Sequence, residues 1–367
     1  MIIPIIAILL TYSGLLAVLL YGLAKIAPVP ALGKPPIVPG VSIVIPFKNE
    51  AQNLEKLLTS LNSQLYEGIY EVILVNDCST DNYKVATSQH CWSFPLRILD
   101  SSYSPDRELS SKQQALDLGI KSASFDWVAL TDADMVLAPG WINSLVSATT
   151  GGASFIFGHT AMGQLPGRAL FGWFQSFQLE VLFAVAYALH RAGISGSCMG
   201  NNLLLSRKAY AGCGGFDGIG YTMVEDRALL LAMRKNGYRI GTTEPFYPQA
   251  TTMPCARPGH FASQLLRWAR GGFRWNSNLA LFAVVLACQN FAVMGATTGI
   301  CPAGISVVAV INLLATWFFV AWAFRLTGSK LNGLLFPAFI PGLLLETVLL
   351  PLGLLFRREI IWKGRQM

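Results

Sequence analysis

The sequence predicts an α/β domain with a Rossmann-like, mostly parallel sheet, flanked by transmembrane helices at both ends of the chain. Short β-branched runs alternate with stretches of helical periodicity between residues 41 and 130, a rhythm typical of doubly wound sheets. Only 13 % of the residues are charged, against roughly 25 % in an average globular protein. No charged residue lies in 1–24 or in 279–324. The apolar excess is therefore confined to the ends, where it suits a bilayer core.

The N-terminal run, residues 1–24, predicts a retained transmembrane anchor. It reaches the roughly 20 apolar residues that a helix needs to span a bilayer, and no basic region precedes it as in a signal peptide. Residues 25–40 form a linker rich in proline and glycine. Lys25 and Lys34 lie there and place this end of the anchor in the cytoplasm, since basic residues favour that side.

The C-terminal region, residues 279–356, predicts about three apolar segments. The first two are separated by a turn near residues 299–302, and the third runs from 331 to 356 with three prolines inside it. If the third segment spans the bilayer, the basic tail 357–367 lies outside, against the usual preference for the cytoplasm. A spanning helix and a re-entrant one both stay open.

Between these ends, four short apolar runs predict the strands of the sheet: Val41–Pro46, Tyr70–Val75, Leu96–Leu99 and Trp127–Leu130. Leucines at helical spacing predict a helix after the first strand: Leu54, Leu57, Leu58, Leu61 and Leu65. A further helix includes residues 115–120. Ligands of such sheets bind beyond the carboxyl ends of the strands, and Asp77, Asp132 and Asp134 all follow strand ends.

The apolar and aromatic stretch 171–189 contains one acidic residue, Glu180, and is flanked by basic side chains. It predicts an interfacial helix. A helix of the protein core and a lid over an apolar substrate are the alternatives.

The motif Thr131-Asp132-Ala133-Asp134 follows an apolar strand. Two carboxylates one residue apart can share a divalent cation that also binds a diphosphate, and oxygen ligands suit Mg²⁺ or Mn²⁺. The alternative is an ordinary polar turn. The position at the predicted sheet edge favours the metal site.

Two further motifs carry candidate chemistry. Glu225-Asp226 opens an amphipathic helix; acidic side chains there stabilise the helix dipole, but Asp226 is also a candidate general base. Gln264, Arg267 and Trp268 share one helix face. Arg267 can pair with a diphosphate, and Trp268 can stack on a sugar or a base. The alternative for Arg267 and Trp268 is a belt of such side chains at the membrane interface.

Composition narrows the partners. The net charge is +7, yet no runs of lysine and arginine interleaved with aromatics indicate nucleic-acid binding. An anionic membrane face or a diphosphate substrate explains the charge better. The seven cysteines are irregularly spaced and include no C-x-x-C, which is typical of a reducing compartment and argues against a disulfide framework or a zinc site.

Taken in order, these motifs resemble the membrane-bound branch of glycosyltransferase family 2 that includes ceramide and hydroxychlorobactene glucosyltransferases. The resemblance runs from about Val41 to Trp275. It includes the first strand with its turn, Val41–Glu50, then Asp77, Lys112 before a helix, the D-x-D pair, the E-D pair and the Q-x-x-R-W motif. In this sequence the first aspartate stands in Asn-Asp-Cys-Ser, which departs from the acidic pairs common in the family and leaves the donor-base contacts open.

The resemblance implies a GT-A fold in residues 41–278, inversion at the anomeric carbon, and a role for each motif. The residues implied in nucleotide-sugar binding are Pro46, Glu50, Asp77, Lys112, Asp132, Gln264, Arg267 and Trp268. Asp134, with Asp132, would bind a divalent cation, Mg²⁺ or Mn²⁺. Asp226 would activate the acceptor, and Asn201 and Glu225 would lie on the acceptor side.

These observations predict a multi-pass membrane enzyme with a cytoplasmic catalytic domain, which moves a hexose, glucose by preference, from a UDP-sugar to a hydroxyl of a membrane lipid. A processive polysaccharide synthase of the cellulose or hyaluronan kind is the first alternative, and a polyprenyl-phosphate glycosyltransferase is the second. A transporter or scaffold with a degenerate domain would lack the acidic motifs and would carry several intramembrane charges. The C-terminal apolar region contains one such charge, Glu346.

Overall fold

The computed structural model describes residues 2–25, 38–88, 91–243, 249–272 and 278–356, with the backbone of 361–362 and 365–366. Most of the predicted linker, including Lys34, and most of the basic tail lie outside the described residues. The chain divides into two compact units. We call Pro28–Pro166 with Ser195–Pro254 the α/β unit, and Met1–Ala27, Gly167–Ile194 and Cys255–Met367 the helical unit.

The described helices, in chain order, are α1 (Ile2–Ala24), α2 (Ala51–Asn62), α3 (Tyr83–Ser88), α4 (Ser111–Lys121), α5 (Trp141–Ser147), α6 (Ala169–Arg191), α7 (Arg207–Gly212), α8 (Gly215–Ile219), α9 (Glu225–Lys235), α10 (Pro258–Gly272), α11 (Asn278–Thr297), α12 (Ala303–Leu326) and α13 (Phe336–Phe356). The described strands are β1 (Val41–Phe47), β2 (Tyr70–Asn76), β3 (Leu96–Asp100), β4 (Trp127–Leu130), β5 (Val136–Leu137), β6 (Phe155–Phe157), β7 (Thr160–Met162), β8 (Leu203–Ser206), β9 (Ile240–Thr242), β10 (Ala250–Thr252), β11 (Ile361–Trp362) and β12 (Arg365–Gln366).

The α/β unit is built on a seven-stranded sheet with the order β3-β2-β1-β4-β8-β6-β9. The four predicted strands pair in parallel, with β1 between β2 and β4 and with β3 beyond β2. The strand β8 is antiparallel to both of its neighbours, β4 and β6. The predicted α/β class with a mostly parallel sheet is confirmed, and the sequence pattern did not predict the reversed strand.

Strand register brings the predicted chemistry to one edge. Phe47 at the end of β1 pairs with Asn76 at the end of β2, and Asn76 pairs with Asp100 of β3. The end of β4, Leu130, lies beside Val44 of β1. The loops that carry Asp77 and Asp132 therefore leave the sheet side by side, as expected for neighbouring parallel strands.

Close packing fixes α4 against this sheet. A Cβ atom built at Gly119 of α4 would lie 2.3 Å from Cγ1 of Val44 and 3.0 Å from Cγ2 of Val75. Only glycine permits this approach, so the helix lies directly over β1 and β2. The start of α4 is set by a capping box, in which Ser110 and Gln113 each bond the backbone of the other. The position of Lys112, in the first turn, follows from both.

The leucine pattern of α2 is confirmed except at its last member. Leu54, Leu57, Leu58 and Leu61 are fully buried, whereas Leu65 lies beyond the helix and is 71 % exposed. The backbone N–H of Leu65 donates to the carbonyl of Pro139 instead of continuing the helix. The helical spacing of the leucines therefore continues to Leu65, although the helix itself ends at Asn62.

Among the described residues of the helical unit, four helices are long and apolar enough to cross a membrane: Ile3–Ala24, Ala169–Arg191, Ala303–Leu326 and Gly333–Phe356. A shorter apolar stretch, Val284–Thr297, lies within α11. The turn predicted near residues 299–302 separates α11 from α12. The third C-terminal segment forms one continuous helix, α13, with Pro341 and Pro351 inside it.

The stretch predicted to be an interfacial helix is α6, which packs among the other apolar helices of this unit. Phe177 of α6 stacks on Phe339 at 4.9 Å between ring centroids and also contacts Phe324 at 4.9 Å. Because α6 meets the length and composition of a membrane span, it belongs to the same class of segment as the predicted crossings.

Candidate active site

A small pocket opens at the carboxyl end of β4 in the α/β unit. Its polar lining consists of Lys112, Thr131, Asp132, Glu225 and Asp226, with the backbone of Gly200 beside them. Apolar side chains of α4, β8 and α9 close its floor. Four residues that the sequence singled out from three separate motifs therefore meet in one place.

Lys112 connects two of these motifs. Its Nζ lies 2.9 Å from Oδ1 of Asp132 and 2.7 Å from Oε1 of Glu225. The side chains of Lys112 and Asp132 are about one-third exposed, at 35 % and 33 %, while that of Glu225 is largely buried. The ammonium of Lys112 therefore joins the D-x-D and E-D motifs where they line the pocket.

Asp226 stands in the first turn of α9, next to Gly200. Its Oδ1 accepts a hydrogen bond from the N–H of Arg227 at 2.7 Å. A Cβ atom at Gly200 would lie 2.6 Å from Oδ2 of Asp226, so the carboxylate rests directly on the glycine backbone. A carboxylate in a first helical turn is stabilised by the helix dipole, and the same side chain lines the pocket, so the role of Asp226 as a general base stays a prediction.

The nearby thiol of Cys198 reports the negative charge of this region. Desolvation, followed by the charges of Asp226 and Glu225, raises the pKa of Cys198 well above its usual value. Sequence reasoning missed Cys198 and gave no role to Gly200. The available signal was that Gly200 stands next to Asn201 in the sequence. That position did not reveal that the side chain of Asp226 would approach Gly200.

Asp134 lies two residues beyond Asp132 on the same loop and does not line the pocket. Both carboxylates are partly exposed. Among the described residues there is no group of three or more acidic, histidine or cysteine side chains able to hold a metal by itself. A cation held by Asp132 and Asp134 would take its remaining oxygen ligands from a bound diphosphate or from water, which is how Mg²⁺ is commonly held.

Asp77 is buried at the end of β2, with 7 % exposure. Its Oδ2 accepts a hydrogen bond from Oγ of Ser111 at 2.9 Å, and its N–H donates to the carbonyl of Phe47. Ser111 immediately precedes Lys112, so the first turn of α4 contacts Asp77 on one side and Asp132 on the other. The structure thus links the two predicted ends of the donor site through one helix terminus.

The loops after β1 and β2 hold each other in place. Asn49 and Cys78, one in each loop, have positive φ values of 54° and 56°. Oδ1 of Asn49 accepts from the N–H of Thr80 at 2.8 Å. Unusual backbone conformations of non-glycine residues concentrate at functional sites, where the surrounding structure maintains them.

Two more residues implied in donor binding, Pro46 and Glu50, lie on the first of these loops or next to it. Pro46 belongs to β1 and pairs with Val75 in register. Glu50 precedes α2, is buried, and accepts a hydrogen bond from Nδ2 of Asn53 at 2.6 Å. Both therefore stand at the same sheet edge as Asp77.

Asn201 precedes β8 in the chain and contacts the residue after β4 and the first residue of β7. Its carbonyl accepts from Oγ1 of Thr131 at 3.0 Å, and its Oδ1 accepts from Oγ1 of Thr160 at 2.9 Å. The next residue, Asn202, accepts from the indole N–H of Trp141 at 2.9 Å. The Gly-Asn-Asn turn is therefore anchored to the strand that carries the D-x-D motif.

Gln264, Arg267 and Trp268 lie on α10 in the helical unit and are partly buried. Oε1 of Gln264 accepts from Sγ of Cys255 at 3.6 Å. Cys255 is held in turn by Gln175 of α6, which bonds both its N–H and its carbonyl. The motif thus belongs to a segment that is tied to an apolar helix.

Comparison with known proteins places this site in context. The structure is similar to that of the mannosyltransferase PcManGT from Pyrobaculum calidifontis, solved with GDP-Man and Mn²⁺, with a TM-score of 0.53 and 16 % identity over 97 % of this chain and 99 % of that one. At this identity the likeness establishes the fold alone, and it confirms the predicted GT-A type.

Sequence relatives agree on the class of enzyme. The dolichol-phosphate mannosyltransferase of Pyrococcus furiosus is 30 % identical over 118 residues, covering 32 % of each chain. An N-acetylglucosaminyltransferase of Bradyrhizobium diazoefficiens is 29 % identical over 251 residues, 65 % of this chain and 50 % of that one. A poly-beta-1,6-N-acetyl-D-glucosamine synthase of Staphylococcus aureus is 26 % identical over 248 residues, 64 % and 54 %. The chain spans from a third to about half the length of these relatives.

One family profile covers almost the whole chain, residues 5–367. This match and the relatives agree with the predicted class of enzyme, a glycosyltransferase, while the activity of the whole protein, the sugar and the acceptor stay predictions. The chain belongs to Glycosyl transferase family 21.

Proposed function

We propose that this protein is an inverting glycosyltransferase that moves glucose from UDP-glucose to a hydroxyl of a membrane lipid. The observation that carries the proposal is the pocket at the end of β4, where Asp226, Lys112 and Asp132 surround one small space. In such a space one carboxylate can act as the general base on the attacking side of a displacement. The groups on the other side can bind and stabilise the charged leaving group.

On the donor side, Asp77 is placed to accept hydrogen bonds from a uracil or ribose, and the Lys112 ammonium to contact the diphosphate. Asp134 and Asp132 would hold a divalent cation, Mg²⁺ or Mn²⁺, at that diphosphate. When bound, the cation would neutralise charge that develops on the leaving group. The complex of PcManGT with GDP-Man and Mn²⁺ supports a nucleotide-sugar donor and a metal of this kind.

On the acceptor side, Asp226 takes the proton of the attacking hydroxyl. The acceptor oxygen then forms its bond to the anomeric carbon as the bond from that carbon to the diphosphate oxygen breaks. UDP leaves with the electron pair, the proton stays on Asp226, and the configuration inverts. Asn201 and Glu225 would line the acceptor side, with Glu225 held by Lys112. For Gln264, Arg267 and Trp268 a role in binding the diphosphate stays a prediction from the motif.

A lipid acceptor agrees with the apolar helices. Four helices have the length and composition of membrane spans, so a hydroxyl that enters from the bilayer has a short route to an enzyme embedded there. The basic excess of +7 favours a location at an anionic membrane face. We therefore propose an integral membrane enzyme whose α/β unit faces the cytoplasm.

The test is transfer of label in membranes that contain the protein. Radiolabelled UDP-glucose, UDP-N-acetylglucosamine and GDP-mannose are each incubated with a lipid extract, and the products are fractionated. We expect label from UDP-glucose in a low-mass, organic-soluble product that resists mild acid. Label in a water-soluble polymer would instead support a polysaccharide synthase, and an acid-labile lipid product would support a polyprenyl-phosphate acceptor. Absence of label from all three donors would contradict the proposal.

The role of Asp226 is tested with Asp226→Asn. We expect the transfer rate to fall by about 10²–10⁴, the usual contribution of a general base, while UDP-glucose still binds in calorimetry. Asp126→Asn is the matched control, because Asp126 lies outside the pocket with its side chain 74 % exposed. Retained turnover in Asp226→Asn would remove Asp226 as the base.

A further inference from the structure

Glu346 lies near the middle of α13, within one of the four segments long and apolar enough to span a membrane. Its Oε2 accepts a hydrogen bond from Nε2 of Gln178 on α6 at 2.6 Å. Its Oε1 is enclosed and has no hydrogen-bond partner among the residues that the structure describes. An acidic group in such a segment is costly, so it is retained where it has a function or a partner. Gln178 accounts for one carboxyl oxygen and leaves the other to be explained.

The pair stands one helical turn from the segment that carries the Q-x-x-R-W motif. Gln175 and Gln178 are three residues apart on α6 and share a face, with a rise of about 4.5 Å between them. Gln175 is 1 % exposed and bonds both backbone groups of Cys255, at 2.8 and 3.1 Å. Cys255 in turn donates to Gln264. Two sets of hydrogen bonds, Glu346 with Gln178 and Gln175 with Cys255 and Gln264, therefore lie on neighbouring turns of α6 inside the helical unit.

The carboxyl also borders the open surface of α13. Only 6 % of the residues in the apolar stretch of this span are buried inside the protein, against 22–44 % for the other three spans. Leu345 and Leu349, which flank Glu346, are 58 % and 54 % exposed. Glu346 itself is partly exposed, although its Oε1 is enclosed. Binding of a lipid hydroxyl to Oε1 therefore requires the side chain to rotate toward the exposed leucines.

We propose that Glu346, oriented by Gln178, is a binding site for the hydroxyl head group of the lipid acceptor. The proposal rests on the lipid acceptor proposed above. The lipid hydroxyl donates its hydrogen bond to Oε1 of Glu346, and its chain lies along the exposed leucines of α13. The site recruits the acceptor within the helical unit, beside the segment that carries Gln264.

The test uses a probe that needs no knowledge of the natural acceptor. The purified full-length protein in phosphatidylcholine nanodiscs, without any nucleotide sugar, is irradiated with a diazirine-bearing hexadecanol or with its methyl ether. The ether matches the alcohol in chain and shape but has no O–H to donate. We expect the alcohol to label α13 at least about tenfold more than the ether, the discrimination that a hydrogen bond to a carboxylate provides. Equal labelling by the two probes would overturn the proposal without recourse to any variant.

Two variants locate the discrimination. Glu346→Leu is expected to reduce labelling by the alcohol to the level of the ether. Glu346→Gln keeps an oxygen that accepts from Gln178 and replaces Oε1 with an amide N–H. An ether oxygen accepts a hydrogen bond from N–H as an alcohol oxygen does. The preference for the alcohol should therefore disappear although the ether still binds. Thr347→Val is the control, because it removes the neighbouring hydrogen bond from Asn290 and leaves Glu346 in place. Unchanged discrimination in both Glu346 variants would mean that the pair with Gln178 is purely structural.

A transfer assay separates this proposal from the proposed function. With a lipid extract as acceptor, Glu346→Leu should raise the KM for the extract about tenfold and leave the KM for UDP-glucose unchanged. If no lipid is glucosylated by the wild type yet the alcohol still labels α13, the proposed function fails and the hydroxyl site stands. If Glu346→Leu glucosylates lipid with the KM of the wild type, the hydroxyl site fails and the proposed function stands.

Discussion

Lys112 joins two carboxylates that the proposed reaction assigns to different partners. Asp132 belongs to the D-x-D pair and Glu225 neighbours the proposed base, yet both contact one ammonium. The positive charge lies where a divalent cation at Asp132 would also lie. A lysine in this position stabilises the carboxylates before the donor arrives, and it competes with the cation for Asp132.

We predict that Lys112→Gln strengthens Mn²⁺ binding in the absence of nucleotide while it weakens binding of UDP-glucose. Removal of a partly exposed ion pair of this kind should increase the Mn²⁺ affinity by roughly 3–10-fold. Calorimetry or electron paramagnetic resonance of the full chain in detergent measures both affinities. The control is Lys121→Gln on the same helix, because Lys121 pairs with Asp117 and Asp217 instead. Weaker Mn²⁺ binding by Lys112→Gln would show that the lysine does not compete for the D-x-D site.

We predict that Gly200→Ala displaces Asp226 and lowers kcat at least tenfold, with little change in the KM for UDP-glucose. The added Cβ would meet Oδ2 of Asp226 at 2.6 Å, and a general base that is misplaced by about 1 Å loses up to about 100-fold in rate. Gly196→Ala is the matched control, since a Cβ there meets nothing within 4 Å. Wild-type kcat in Gly200→Ala would mean that the carboxylate can leave Gly200 without loss, so that its position is not set by this contact.

At the scale of elements, Glu71 ties the strands of the sheet together at the end opposite the site. Its Oε1 accepts from Oγ of Ser42 and from the N–H of Ser124, each at 2.7 Å, and Arg97 lies 3.6 Å from its Oε2. Burial by itself raises the pKa of Glu71, but the hydrogen bonds from Ser42 and Ser124, with Arg97, outweigh burial and hold the pKa below its usual value.

This direction predicts a pH dependence of stability. Because the folded pKa is lower than the unfolded one, the stabilisation by Glu71 is complete above the unfolded pKa, about 4.3, and is lost as pH falls through the folded pKa. Glu71→Gln should therefore destabilise the protein by about 1–3 kcal/mol at pH 7 and by less at pH 3. Thermal unfolding in detergent at the two pH values measures the difference. Glu108→Gln, at an exposed position between β3 and α4, should show neither effect. An equal loss at both pH values would contradict the assignment.

At the scale of the whole molecule, the apolar helices and the α/β unit make a prediction about topology. Cys78 and Cys91 are exposed in the α/β unit. If that unit faces the cytoplasm, a membrane-impermeant maleimide should label these thiols only after the cells are permeabilised. The variant with Cys78→Ser and Cys91→Ser should lose most of the label. Labelling of Cys78 and Cys91 in intact cells would place the α/β unit on the outside.

The sequence determined the features of this protein that depend on local pattern. Periodicity and β-branched runs predicted β1, β2, β3 and β4 within one or two residues of their observed ends, because burial on both faces of a parallel sheet imposes a continuous apolar run. The position of Asp77 and Asp132 at strand ends followed from the same pattern. Absence of charge predicted the apolar helices at both ends, since a bilayer core accepts few charged groups.

The tertiary structure decided what depends on residues far apart in the chain. The reversed strand β8 lies between β4 and β6. Its direction follows from how the chain connects the strands, and the periodicity of the local sequence does not reveal it. Lys112 reaches Glu225 across more than a hundred residues, and Gly200 supports Asp226 only because two loops meet. Local pattern fixes which residues stand at the ends of elements, whereas packing fixes which of them touch, and the chemistry of the site depends on the second.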